Sequence, residues 1–399
     1  APIVAHPWLY QGTFEHPSYY GHFRRFDVTA EDPEADWDTA TFSRIPDAKT
    51  GNSDGRKVYT ADNNAGDWSK INFDAANVDA LDTRLDISPG NGDLVEEIRV
   101  IERLRGRDWD YDATPPEYVE QAHNKLGGIM HSSPVIIRSD LKDSRFSHTN
   151  RPEVAYVGDL YGMLHAIETA TGIEKWAYIP SNLLWKLKND RTDPNADPHF
   201  AAVDASPTAK DIYYDHDADP TTPDMWRTIL VCAQGFGGNS IFALDVTDPA
   251  NFEVLWEATD TVAPGGGMGY SFRAALDKVK VPVLDINDKP IPGKYEVKWM
   301  VYVATSFAHI AEDHGGINVF AFDLKTGTKE WTFSSTYADS VNDIPGAVTT
   351  FDIDDDTLAD RIYVGDMNGR MWEIALTDDP DGKWTAGESV HEAEYPDPD

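Results

Sequence analysis

The 399-residue sequence predicts an all-β protein of the propeller class. Three observations carry that expectation. A unit of four short strands recurs along the chain, each unit turns on Thr-Gly or Asp-Pro ahead of a tryptophan, and Ala166, Ala243 and Ala321 stand at matched places. A unit this small cannot bury both of its faces alone, so neighbouring units must stack around an axis.

Residues 1–125 are expected to be the irregular part of one propeller domain, supplying partial blades and a helix, and 126–399 its regular blades. Gly21 to Val28 with Trp37 reads as the last two strands of a blade, and Arg56 to Ala61 with Trp68 to Phe73 as a partial sheet. Asp93 to Arg105 spaces its apolar residues as a helix does, with acids early, arginines late and Gly106 after the end, which predicts one short helix near 93–105.

The regular units follow. The first runs through Val135-Ile136-Ile137, Val154 to Asp159, Gly162 to Glu168, Thr171-Gly172 and Trp176. The second takes Ser206 to Thr208, Arg227 to Val231, Ser240 to Asp245 and Trp256. The third takes Tyr270 to Leu276, Trp299 to Ala304, Asn318 to Asp323, Thr326-Gly327 and Trp331. The fourth takes Arg361 to Val364, Met371 to Ala375 and Trp384. The tryptophans at 176, 256, 331 and 384 are read as packing between blades, because buried aromatics dominate core energetics. Long loop insertions are expected at Lys188 to His199, Asp215 to Asp224 and Lys278 to Tyr295.

Composition narrows the partners. With 34 Lys and Arg against 69 Asp and Glu, the formal net charge is −35. Nucleic acid and anionic membrane surfaces need basic patches, so neither is an expected partner. No apolar run reaches the length of a membrane span, and Ala1-Pro2-Ile3-Val4 is no signal peptide, so a mature or cut form is expected. The single Cys232 excludes an internal disulfide, a cysteine zinc site and covalent c-type haem attachment.

The chemistry concentrates between Phe351 and Arg361. Asp352, Asp354, Asp356 and Asp360 alternate as in the first half of an EF-hand loop, whose oxygen ligands suit calcium, Ca2+. On that spacing Asp352, Asp354 and Asp356 would ligate by side chain, Leu358 by its carbonyl, and Asp360 directly or through water. Thr357 stands where the EF-hand has glycine and Tyr363 where it has its bidentate Glu, so a helix-flanked EF-hand is excluded. The competing reading is a solvated acidic turn in an acidic protein. Asp215-His216-Asp217-Ala218-Asp219 has no carboxylate at its ninth position, Pro223, and is read as a solvated hairpin. His22, His123, His131 and His165 lack metal-type spacing and are read as structural.

Several ordered stretches together resemble the C-terminal domain of the PilY/PilC-type proteins of bacterial type IV pili. They are Leu126-Gly127-Gly128-Ile129-Met130-His131-Ser132-Ser133-Pro134-Val135, Tyr156-Val157-Gly158-Asp159, Ala177-Tyr178-Ile179-Pro180-Ser181, Ala243 to Pro249, and the acidic loop running into Gly365-Asp366-Met367-Asn368-Gly369. The resemblance extends from about Tyr20 to Trp384. It implies a modified, seven-bladed quinoprotein-like β-propeller with calcium on Asp352, Asp354, Asp356, the Leu358 carbonyl and Asp360. It also implies a non-enzymatic pilus biogenesis and adhesion factor at or near the pilus tip, exported through the periplasm. Pilin and minor pilins would be its partners, with a surface or host ligand besides. Such proteins usually carry a large N-terminal region absent from this sequence, so a fragment, a processed form or a short member is expected. No Arg-Gly-Asp tripeptide is present; Arg105-Gly106-Arg107-Asp108 only approaches one.

Two other functions compete. Ala166 to Trp176 and Ala321 to Trp331 resemble the tryptophan docking motif of pyrroloquinoline-quinone dehydrogenases. Those enzymes often add a vicinal cysteine pair, which one cysteine cannot make. The other alternative is an extracellular scaffold that docks secreted proteins through its acidic surface. No Gly-x-Ser-x-Gly elbow, His-Glu-x-x-His or phosphate loop is present.

Overall fold

The computed structural model describes residues 3–5, 7–41, 44–48, 55–85, 94–110, 117–120, 125–138, 151–187, 202–214, 225–258, 268–286, 290–305, 318–334, 344–367, 369–376 and 389–393. Trp384, His123, Asn368, the insertions at 188–199 and 215–224 and most of the glycine-rich 264–269 stretch lie outside them.

Strands dominate. β1 (Ile3–Ala5), β2 (Trp8–Glu15), β3 (Tyr20–Asp27) and β4 (Ala35–Asp38) form a four-stranded sheet in chain order, where only two strands were expected. β2 carries Gly12 within the strand. Glycine stands there because a Cβ at that position would collide with the Ile129 side chain.

β5 (Val58–Asn64) and β6 (Asp67–Asn72) make a hairpin, followed by α1 (Val78–Leu85), α2 (Leu94–Leu104) and a pair of short strands, β7 (Arg107–Asp110) and β8 (Glu117–Glu120). α2 is the expected helix, with Gly106 at φ 99 ending it. The expectation of a single helix is corrected by α1. Its Asp- and Thr-containing sequence has weak helical propensity, and burial of Val78 and Leu81 holds it.

The regular units come next. β9 (Val135–Ile137), β10 (Val154–Gly158), β11 (Leu164–Glu168) and β12 (Glu174–Ile179) pair antiparallel, and β5 joins β12 in parallel, giving the order β6-β5-β12-β11-β10-β9. β13 (Thr208–Tyr214), β14 (Met225–Ala233), β15 (Ile241–Asp245) and β16 (Glu253–Ala258) form the next sheet in chain order. β17 (Ala275–Leu284), β18 (Pro290–Ala304), β19 (Asn318–Asp323) and β20 (Lys329–Ser334) form another. The last holds β21 (Thr349–Phe351), β22 (Arg361–Gly365), β23 (Met371–Ala375) and β24 (Ser389–Ala393). The stretch from Lys278 to Tyr295, expected as an inserted loop, is instead mostly the body of a long β17/β18 hairpin. Alternation explains it: Val279 and Val281 point into the core.

The chain forms two compact units, one of Ala1–Leu230, Gln234–Gly238 and Leu244–Val254, the other of Val231–Ala233, Asn239–Ala243 and Leu255–Asp399. Within each, one device recurs. The buried Trp37 indole donates to the Thr169 carbonyl at 2.9 Å, and Trp176 to the Pro249 carbonyl at 2.9 Å. In the second unit Trp256 donates to the Leu324 carbonyl at 2.6 Å. Each acceptor lies at the turn between the third and fourth strands of the following sheet. Gly172 and Gly327, at φ 70 and 69, complete two of those turns. A Cβ on either would stand 2.6 Å from the indole of Trp37 or Trp256, so glycine is required by conformation and contact together. The matched alanines have a related reason: Ala166 pairs across the strands with Trp176, and Ala321 with Trp331.

A buried ionic network ties the irregular segments of the first unit to its sheets. The Glu174 carboxylate receives Arg56 at both oxygens, 2.8 and 3.0 Å, and the Nδ1 of His165 at 2.7 Å. His165 Nε2 lies 3.0 Å from Asp159, which also accepts the Gly127 N–H at 2.7 Å. Arg56 continues to the carbonyls of Arg105 and Lys125, and Arg105 to those of Phe73 and Arg56. Burial pushes the His165 imidazole down, but the Asp159 charge and the hydrogen bonds of Asp159 and Glu174 outweigh it and raise the pKa to about 9. Burial pushes Glu174 up, and the Arg56 charge with the His165 and Arg56 bonds brings it down to about 2.

Two outcomes follow. Trp256→Phe removes the indole donor and leaves the buried Leu324 carbonyl without it, costing about 2 kcal/mol, read as a lowered urea midpoint at unchanged slope. The raised His165 pKa contributes stability that is complete below the ordinary 6.5 and lost as pH rises through about 9. The lowered Glu174 pKa contributes stability complete above 4.5 and lost as pH falls through about 2. Denaturation across pH should therefore show the alkaline decline in the native chain, and a weakened one in His165→Gln.

Candidate metal centre

β21 and β22 pair antiparallel, and the nine residues between them close on themselves when Asp360 donates its N–H to the Phe351 carbonyl at 2.9 Å. The sequence makes such a loop by side-chain acceptance, the ordinary habit of aspartate in turns. Asp352 Oδ2 accepts the Thr357 N–H at 2.7 Å, Asp354 Oδ1 that of Asp356 at 3.2 Å, Asp356 Oδ1 that of Leu358 at 2.8 Å, and Asp360 Oδ2 that of Ile353 at 2.8 Å. Asp355 and Thr357 take left-handed backbone, φ 61 and 75. Thr357 thus occupies the conformation for which an EF-hand uses glycine, and a β-branched residue there costs roughly 1–2 kcal/mol.

These turns use one oxygen of each carboxylate on the backbone and bring three of the carboxylates together. Asp352, Asp354 and Asp356 each present a carboxylate oxygen within 4.8 Å of the other two, and among the described residues no other group of three His, Cys, Asp or Glu comes together in this way. Asp352 Oδ1 is buried without a hydrogen-bond partner. An orphaned carboxylate oxygen beside two further carboxylates is a poor arrangement for three negative charges alone and a good one for a hard cation. The donors are all oxygen, which suits calcium better than a transition metal. Of the sequence-derived ligands, Asp360 stands outside the three-carboxylate group, and Leu358 lies in the loop with its N–H on Asp356.

The loop is held from the neighbouring sheet. Ala359 donates its N–H to the Lys278 carbonyl at 2.8 Å, Lys278 Nζ donates to Thr357 Oγ1 at 2.8 Å, and Thr350 Oγ1 donates to Asp277 at 2.9 Å. Sequence reading missed Asp277 and Lys278, since no local pattern connects residues more than 70 positions apart.

The histidines take separate places. His22 lies between Asp38 and Glu15 at 2.7 and 3.0 Å, His131 Nδ1 contacts the buried Asp204 at 2.6 Å, and His165 sits in the buried network. Shifted pKa values often mark functional sites, but His165 and Glu174 are sealed from solvent and serve the packing. No helix among the described residues is long and apolar enough to cross a membrane.

Comparison with known proteins gives the family. Residues 133–393 match the family model described as the PilY1 beta-propeller domain. The type IV pilus biogenesis factor PilY1 of Pseudomonas aeruginosa strain PAK is 26% identical over 410 residues, covering 96% of this chain and 32% of that protein. A type IV pilus biogenesis factor PilY1 homolog of Xylella fastidiosa is 32% identical over 230 residues, covering 57% of this chain and 16% of that protein. The chain therefore spans a third or less of the length of these relatives. The crystal structure of the Pseudomonas aeruginosa PilY1 C-terminal domain is similar at 27% identity and a TM-score of 0.42, over 58% of this chain and 40% of that one.

Proposed function

This chain belongs to the PilY1 β-propeller domain family, and on that premise we propose that it is the calcium-binding part of a type IV pilus biogenesis and adhesion factor. The observation that carries the calcium reading is the gathering of Asp352, Asp354 and Asp356, one of which, Asp352, keeps a buried Oδ1 without a hydrogen-bond partner. The names of the relatives support the pilus reading.

When bound, calcium supplies the positive charge that the three carboxylates lack. The residues do the rest. Asp352, Asp354 and Asp356 stop repelling one another, the Asp355 and Thr357 turns are held in their left-handed backbone, and the adjoining surface becomes fixed. That surface exposes Phe351 (54%) and Ile353 (53%) beside the acids, and it is the face assigned to a pilin or minor pilin partner. The domain acts at the pilus tip, outside the cell, where it favours extension over retraction and supports surface attachment.

It works by binding. The lone Cys232 is buried, its thiol pushed far up by burial, and the shifted His165 and Glu174 are sealed from solvent.

In cells producing the pilus factor that carries this domain, Asp354→Ala/Asp356→Ala should leave protein levels unchanged, reduce surface pili and twitching severalfold, and abolish their response to calcium depletion. Normal piliation that still responds to calcium would contradict the assignment.

A further inference from the structure

A positive charge is tethered to the rim of the acidic loop from outside it. Lys278 lies on β17, and its carbonyl accepts the Ala359 N–H at 2.8 Å, which fixes the residue against the far end of the loop. Its Nζ donates to the Thr357 hydroxyl at 2.8 Å. Thr357 donates its own N–H to Asp352 Oδ2 at 2.7 Å, so one residue separates the ammonium from the carboxylate whose other oxygen is buried and unpartnered. The hydrogen bond of the ammonium goes to a hydroxyl rather than to a carboxylate. Lys278 is thus near enough to act on the acidic group by charge, while leaving its oxygens available.

This placement has two consequences. With no divalent ion bound, the ammonium offsets part of the repulsion among Asp352, Asp354 and Asp356. With a divalent ion arriving, the same ammonium repels it. Both effects lower affinity relative to the donor set alone.

We propose that Lys278 sets the calcium affinity of the loop, as a built-in competing cation that makes occupancy respond at a higher calcium concentration. The inference rests on the calcium reading of the 352–360 loop. A tethered unit charge opposing a divalent ion across the span of one residue, in a partly screened surface setting, corresponds to about three- to tenfold in dissociation constant. Because the charges are exposed to solvent ions, the effect should shrink as salt rises.

The test is calorimetric calcium titration of the native chain, Lys278→Met and Lys278→Gln, each at low and high ionic strength. Lys278→Met removes the charge and keeps the aliphatic stem, and Lys278→Gln also keeps a donor for Thr357. Both variants should bind about three- to tenfold more tightly than the native chain at low salt, with the difference narrowing at high salt. Tightening in Gln as well as Met assigns the effect to charge rather than to a rearranged loop. A native chain that binds calcium, with both variants binding no more tightly, overturns the role of Lys278 alone. Failure of the native chain and of both variants to bind overturns the calcium reading and this inference together.

Discussion

The fold depends on a hydrogen bond from an indole to a carbonyl in the next sheet. Trp37, Trp176 and Trp256 each bury a large ring and keep a donor, and each donor reaches the turn between the last two strands of the sheet that follows. A buried carbonyl at that turn needs a partner and a buried indole needs an acceptor, so each satisfies the other. Nearby strand pairing is adapted to the same contact, with Ala166 opposite Trp176 and glycine at the two turns where a Cβ would strike the ring. Stacking of small antiparallel sheets is thereby specified at particular residues rather than by apolar surface alone.

The acidic loop inherits its position from that stacking. It hangs between β21 and β22, but its far end is bonded to Lys278 and the base of its first strand to Asp277, both on the preceding sheet. Five aspartates within nine residues would otherwise splay apart. Instead Asp352, Asp354, Asp356 and Asp360 each accept a backbone N–H, and the carboxylates of the first three come together. The site is a charge conflict imposed by local sequence and kept in place by neighbouring strands, and a hard cation is the simplest resolution of it.

Legibility in the sequence followed the range of the interaction. Most of the repeated strands, the Thr-Gly turns and α2 are local patterns found where the sequence puts them; the entry strand of the third unit, expected over Tyr270 to Leu276, lies instead at Ala275–Leu284, inside the stretch read as an insertion. The parallel union of β5 with β12 joins residues more than 100 positions apart, and nothing near Val58 or Ala177 announces it. Arg56, His165 and Glu174 look like ordinary charged residues in a highly charged chain; only the fold shows that they neutralise one another in the interior. Trp37 escaped notice as a member of the tryptophan series because its sheet begins with a three-residue strand and a strand interrupted by Gly12. Lys278, read as part of an inserted loop, is the residue that anchors the acidic one.

We propose that Asp352, Asp354 and Asp356 are gathered to hold calcium. Calorimetric calcium titration of the chain beside its Asp354→Ala/Asp356→Ala variant, with thermal unfolding followed in parallel, addresses it most directly. The account predicts saturable binding by the native chain, a calcium-dependent rise in its unfolding temperature, and loss of both in a variant that remains folded. Undiminished binding in the folded variant, or none by the native chain, would contradict it.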